Sequence, residues 1–137
     1  HFPGKTEESV FLHNYPVAEK AWTNAAIAAD FEKLFALRND VSKLLEDMRR
    51  EKTIGASLEA RVELTVSGDE FKLLSRYQDY LCEFFIVSQV EVTEGTKTIN
   101  ASKARGQKCP RCWHYSENVG THPDHPLLCP KCTGALT

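Results

Sequence analysis

Two Cys-x-x-Cys turns, Cys109-Pro110-Arg111-Cys112 and Cys129-Pro130-Lys131-Cys132, stand sixteen residues apart near the end of this 137-residue chain. Each such turn holds two sulfurs within about 4 Å of each other, and two turns close a tetrahedral site with metal–sulfur bonds of roughly 2.3 Å. Cys109, Cys112, Cys129 and Cys132 are therefore expected to bind one structural Zn2+, with iron the chemical alternative in the same four-sulfur cage. A closed thiolate shell leaves no position for water, so the metal shapes the chain and activates nothing. Disulfides are disfavoured in the reducing, cytoplasmic setting expected here. Cys82 has no knuckle partner and reads as a small apolar side chain. His114, His122 and His125 lie between the turns and, with four thiolates already supplied, read as loop or surface residues.

The metal module needs a scaffold, and the preceding hundred residues have the patterning to make one. Residues 2–16 carry prolines, Gly4 and Asn14 and read as an extended connecting segment that docks elsewhere. Between Trp22 and Lys52, apolar side chains at Phe31, Leu34, Leu37, Val41, Leu44, Leu45 and Met48 recur at helical spacing. Asp30 is the expected cap of the helix's second half, and Gly55 the left-handed residue past its end. Lys43, Arg49, Arg50 and Lys52 either complement the helix dipole or face a polyanion. Ala60, Val62, Leu64 and Val66 alternate with polar residues, the period of a half-buried strand. Asp69 is placed to cap a second helix over residues 69–83, with Phe71, Leu74, Tyr77, Leu81 and Phe84 on its buried face. A strand over residues 85–92, a turn at Glu94-Gly95 and a strand over residues 97–104 complete the reading. The expected class is α+β: a long helix (residues 1–56 with its connecting segment), a small strand-helix-strand unit (57–104) and a four-cysteine zinc-ribbon or knuckle module (105–137).

Apolar residues make up 42% of the chain and charged residues 26%, values that disfavour disorder, and no apolar run approaches a bilayer span. The net charge of -2 excludes a generic nucleic-acid coater. Residues 1–100 hold 12 basic against 17 acidic side chains, whereas residues 101–137 hold five basic against two acidic, so phosphate contacts are expected in the tail. Arg111 within the first turn and Trp113 directly after it combine a hydrogen-bonding fork with a flat ring, the pair that single-stranded RNA recognition uses. The alternative for Trp113 is that it packs the metal site. Lys108 and Lys131 are the weaker candidates for phosphate.

The string Lys108-Cys109-Pro110-Arg111-Cys112-Trp113-His114-Tyr115, followed by Cys129-Pro130-Lys131-Cys132, resembles the zinc finger that closes bacterial-type isoleucyl-tRNA synthetases and that formamidopyrimidine-DNA glycosylases share. Upstream, Glu8-Ser9-Val10-Phe11-Leu12 with Tyr15-Pro16 is similar to a segment of that synthetase, with Tyr where Trp is usual. Leu37-Arg38-Asn39-Asp40-Val41, Arg49-Arg50-Glu51-Lys52 and Ile54-Gly55-Ala56-Ser57-Leu58-Glu59-Ala60 are similar to its helix and following turn. The resemblance implies a carboxy-terminal, anticodon-side piece of an enzyme that joins isoleucine to tRNA with ATP and Mg2+. It implies Arg111 and Trp113 as RNA contacts, isoleucine tRNA and the remainder of the synthetase chain as partners, a monomer and no membrane. No catalytic or nucleotide-binding residue is assigned: neither an HIGH-like nor a KMSKS-like string nor a glycine-rich phosphate loop occurs, and this piece is expected to be inactive alone. The alternatives are a glycosylase-like finger, which the start His1-Phe2-Pro3-Gly4 does not fit, and a zinc-ribbon protein-interaction module.

Overall fold

A computed structural model describes residues 8–136; the part of the connecting segment before Glu8 lies outside them. From Glu8 to Asn24 the chain runs over the surface with two short 3-10 turns, Val10–Leu12 and Lys20–Trp22. Helix α1 (Ala25–Arg50) then continues without a break. Its cap is Asn24, whose side-chain oxygen accepts from the backbone N–H groups of Ala26 and Ile27, both at 3.1 Å. The expected capping role of Asp30 is thus taken over one and a half turns earlier. Asp30, in the second turn of α1, is mostly covered and accepts instead from Arg76 at 2.8 Å and the Tyr77 hydroxyl at 3.0 Å.

The helix ends one turn before Gly55. Lys52 takes the left-handed conformation with φ of 60°, Thr53 N–H donates back to Met48 at 2.9 Å, and Lys52 N–H to Arg49 at 3.0 Å. Those two bonds satisfy carbonyls the helix end would orphan, and a lysine rather than a glycine makes them. Leu34, Leu37, Val41, Leu45 and Met48 are buried, so the stripe read from the sequence is the stripe that packs.

Strand β1 (Ala60–Val66) alternates as expected, with Ala60, Val62, Leu64 and Val66 all fully buried. The following helical stretch is divided. Helix α2 (Gly68–Arg76) starts after Ser67, which caps it without a side-chain bond, while Asp69 pairs with Lys72. A single 3-10 turn at Gln78–Tyr80 then re-aims the chain into α3 (Leu81–Phe85), so the buried face is shared by Leu73, Leu74, Leu81 and Phe85, with Phe71, Tyr77 and Phe84 packed at its margin.

Strands β2 (Gln89–Glu94) and β3 (Thr98–Lys103) flank β1, giving the order β2-β1-β3. The β1–β2 pair is parallel, as a helical crossover requires, and the β1–β3 pair is antiparallel. Although residues 95–97 look like a hairpin turn, they bridge over the end of β1, a span of roughly 10 Å for two strand spacings. Gly95 N–H donates to Val66 at 2.8 Å, and a Cβ on Gly95 would lie 2.9 Å from Thr65 Cγ2, so the crossing passes close against the strand it spans. One sheet face carries the apolar core beneath α1, α2 and α3; the other is polar, with Arg61 paired to Glu63 and Glu91 and Thr65 bonded to Thr93. The α1 stripe and the buried sheet residues form one continuous core.

Candidate metal centre

After β3 the chain enters a two-stranded ribbon, β4 (Gln107–Lys108) and β5 (Tyr115–Ser116), whose tip is the first cysteine turn. The ribbon closes through Cys109 N–H to His114 at 2.9 Å and Trp113 N–H to Cys109 at 2.8 Å. The second turn opens α4 (Pro130–Gly134), where Cys132 and Thr133 N–H both donate to the Cys129 carbonyl and Pro130 sits at the first helical position. The Thr133 hydroxyl is buried and donates to Pro130 at 2.9 Å. Two local turns, each built by backbone bonds, thereby face their sulfurs toward one point.

The four sulfurs of Cys109, Cys112, Cys129 and Cys132 all lie within 4.8 Å of one another, and Cys112 and Cys129 are 3.6 Å apart. Metal–sulfur bonds of roughly 2.3 Å in a tetrahedron give sulfur separations of about 3.8 Å, so this set fits a four-thiolate metal. None of these cysteines is in a disulfide. Cys109, Cys129 and Cys132 are buried, and Val119 and Leu128 pack against them as a second, separate core.

Burial pushes the Cys109 thiol up, but backbone groups of Cys112, Cys129 and Arg111 outweigh it and bring the thiol down to about 6. Burial raises the Cys112 thiol, and contacts with Cys132, Cys129 and Cys109 add to it, up to about 12. Backbone N–H groups thus favour a thiolate at Cys109, while burial and close sulfur neighbours oppose one at Cys112, as expected where thiols are packed together.

The candidate RNA contacts fall into two groups. Arg111, Trp113 and Lys108 are exposed on the first turn and the strand leading into it: the Lys108 ammonium lies 5.6 Å from the Trp113 ring centroid, whereas the Arg111 guanidinium reaches to the second turn and donates to the Cys132 carbonyl at 3.4 Å. Trp113 is 61% exposed and holds φ of 66°, so most of its ring lies outside the small core. An aromatic residue in that backbone region is strained, and the knuckle bonds on either side hold it there. Lys131, in the second turn, is ion-paired with Glu83 of α3. That pairing raises the Lys131 ammonium and lowers the Glu83 carboxyl below its usual range.

Sequence reasoning overlooked the residues that join the module to the sheet. Gly106 has φ of 86°, and a Cβ there would stand 2.3 Å from the Ser116 carbonyl atoms and 2.4 Å from Glu117 N, so only glycine lets the two legs of the ribbon pass. Its position three residues before a Cys-x-x-Cys turn was the one signal to read. Ser88 and Gln89 carried none, being ordinary polar residues at the start of a strand. The histidines lie in loops, as expected, but none is fully exposed: His114, His122 and His125 are half-buried, and His114 Nδ1 lies 3.2 Å from the Cys112 carbonyl. The Cys82 thiol is half-buried and raised by that burial and then by Glu83, which opposes a nucleophilic role.

A family model described as a zinc finger found in FPG and IleRS matches residues 106–133. Similarity to curated proteins extends far beyond the finger. An isoleucine–tRNA ligase of Syntrophotalea carbinolica is 40% identical over 98% of this chain and 16% of its own length. Isoleucine–tRNA ligases of Geobacter sulfurreducens (37%, over 99% of this chain and 16% of the relative) and Exiguobacterium sibiricum (41%, over 96% and 15%) match similarly. The chain spans about a sixth of the length of these relatives.

Proposed function

Because this chain belongs with the zinc-finger-bearing region of isoleucine–tRNA ligases, we propose that it is the RNA-contacting, carboxy-terminal part of such an enzyme and that its finger engages the anticodon end of isoleucine tRNA. The observation that carries this reading is the exposed first cysteine turn, on which Trp113 with Lys108 over its ring, and separately Arg111, offer an indole, an ammonium and a guanidinium on backbone that the metal site fixes. An arginine fork suits phosphate or a base edge, and an exposed indole suits stacking on an unpaired base. One zinc ion, held by Cys109, Cys112, Cys129 and Cys132, gives this turn its shape. Activation of isoleucine with ATP and Mg2+ belongs to a catalytic domain outside this chain, and the cytoplasm is the compartment of the reading.

The remainder of the ligase chain is the second partner. Phe11, Tyr15, Val17, Trp22, Ile27 and Phe35 all face solvent along the surface segment and the first turns of α1, and no residue before Asp30 is buried among those described. A helix start reading Ala25-Ala26-Ile27-Ala28-Ala29 is apolar all round and suits a covered position. Similarity across β1 to β3 as well as the finger favours this reading over a glycosylase-like finger or a free zinc-ribbon adaptor.

The test is aminoacylation by a ligase carrying this region. Arg111→Ala and Trp113→Ala should each weaken tRNA charging, with a loss on the order of 1–3 kcal/mol for a stacking contact, and leave tRNA-independent isoleucine activation and zinc content unchanged. Variants that fold, hold zinc and charge tRNA like the parent would remove the RNA-contact role.

A further inference from the structure

Two adjacent residues, Ser88 and Gln89, touch both legs of the finger's ribbon. Gln89 opens β2, and its side-chain amide does for the linker what a neighbouring strand would do: its NH2 donates to the Arg105 carbonyl at 2.9 Å, and its oxygen accepts from the Arg105 N–H at 2.9 Å. Arg105 lies between the end of β3 and the start of β4, where the ladder to β1 has stopped. Ser88 reaches the returning leg. Its hydroxyl accepts from Tyr115 N–H at 2.7 Å and donates to the Leu58 carbonyl. Ser88 N–H itself is bonded to Ala60 at 3.1 Å, so the hydroxyl is anchored on β1. The outgoing and returning strands of the finger are therefore gripped by neighbours on one rigid strand start. A further side-chain link among the described residues is the Lys131–Glu83 pair, with both partners at least half exposed.

This arrangement is more than the finger needs to fold. The metal cluster and its small core are complete within residues 109–132, and neither Ser88 nor Gln89 belongs to them. What the two side chains add is direction: two attachment points on two legs remove the hinge that a single linker would leave, and the first cysteine turn then faces one way.

We propose that Ser88 and Gln89 are positioning residues that fix the angle of the zinc module on the sheet, and thereby aim Arg111 and Trp113 at the RNA. The use made of that angle rests on the RNA-contact reading above; the mount itself does not. Pre-orientation lowers the ordering cost of binding, so its removal should weaken tRNA binding without removing any contact.

The experiment uses the zinc-loaded 137-residue chain, with 15N relaxation measured at raised salt to screen the exposed Lys131–Glu83 pair. In the parent, amides of residues 106–133 and of β1 should report one common tumbling time. In the Ser88→Ala/Gln89→Ala variant the finger amides should tumble faster than the sheet amides, while zinc content stays at one per chain, and binding to isoleucine tRNA should weaken several-fold. Restoring the hydroxyl in Ser88→Thr/Gln89→Ala should recover part of the common tumbling. A common tumbling time in the double alanine variant, or separate times in the parent, would overturn the mount. Separate tumbling with undiminished tRNA binding would overturn its positioning role. A parent chain that binds no tRNA would sink the RNA-contact reading, and the relaxation comparison would still decide the mount.

Discussion

Replacing Gly106 by alanine should weaken the zinc module selectively, and the size of the effect can be worked from the backbone. At φ of 86° an alanine sits in the left-handed region, at about 1–2 kcal/mol, offset in part by the roughly 0.5–1 kcal/mol that glycine costs through its freer unfolded state. Steric overlap costs more. The new methyl would stand 2.3–2.4 Å from backbone atoms of Ser116 and Glu117, none of which can rotate away. Ordinary carbon contacts lie at about 3.5–4.0 Å, so the returning leg must retreat by roughly 1 Å or more. That movement breaks the short β4–β5 ladder and the Tyr115–Ser88 bond, each hydrogen bond being worth about 0.5–1.5 kcal/mol net.

The sum is about 3 kcal/mol, borne by the finger and not by the main core. Zinc binding and folding of such a module are one equilibrium, so the same energy should appear as roughly a hundredfold weaker zinc affinity at about 1.4 kcal/mol per tenfold. Competition with a chelator of known affinity reads it, and the thermal melt of α1 serves as the internal control. Gly134→Ala is the matched variant: it lies in α4, nothing stands within 4 Å of its Cβ and its φ is not positive, so zinc affinity should hold or tighten by up to about fivefold, the gain from glycine's roughly 0.5–1 kcal/mol. Equal zinc affinities in Gly106→Ala and Gly134→Ala would refute the close-passage argument.

Removing zinc from the parent by chelation should expose amides of residues 106–133 to exchange while those of α1 and β1 remain protected, because the two apolar clusters are separate; simultaneous loss of both would contradict this. Asp30→Ala should cost about 1–2 kcal/mol in denaturant unfolding, since it strips the partners of Arg76 and Tyr77 that tie α1 to α2. Burial and then the bond to Asp30 raise the Tyr77 hydroxyl above its ordinary value of 10.0, so the folded state prefers the neutral phenol. Its stabilising contribution is therefore complete below pH 10 and lost as pH rises through the folded value, which ultraviolet titration should show as a late-ionising tyrosine that Asp30→Ala brings only part of the way back, the contribution of burial remaining. Ile86→Gly should change denaturant stability by less than about 1 kcal/mol, because relief of the φ of 58° that closes α3 is offset by glycine's freer unfolded state and by the burial of half the isoleucine side chain that is lost.

What the sequence determined by itself is what depends on spacing. Sulfur positions two turns apart, the helical recurrence from Leu34 to Met48 and the alternation from Ala60 to Val66 each follow from local geometry, and a one-dimensional pattern carries local geometry completely. Helix ends were decided by the tertiary structure, because a cap is a competition: Asn24 captured the start of α1 and released Asp30 to bind α2, while Lys52 accepted the left-handed turn that Gly55 was free to take. The position of β1 between β2 and β3 was likewise beyond reach, since a three-residue link reads as a hairpin until a third strand is found beneath it. The mount at Ser88 and Gln89 is the furthest from the sequence. Its bonds join residues 16 and 27 positions apart, and the value of a serine or glutamine side chain there depends wholly on which backbone groups the fold leaves unpaired beside it.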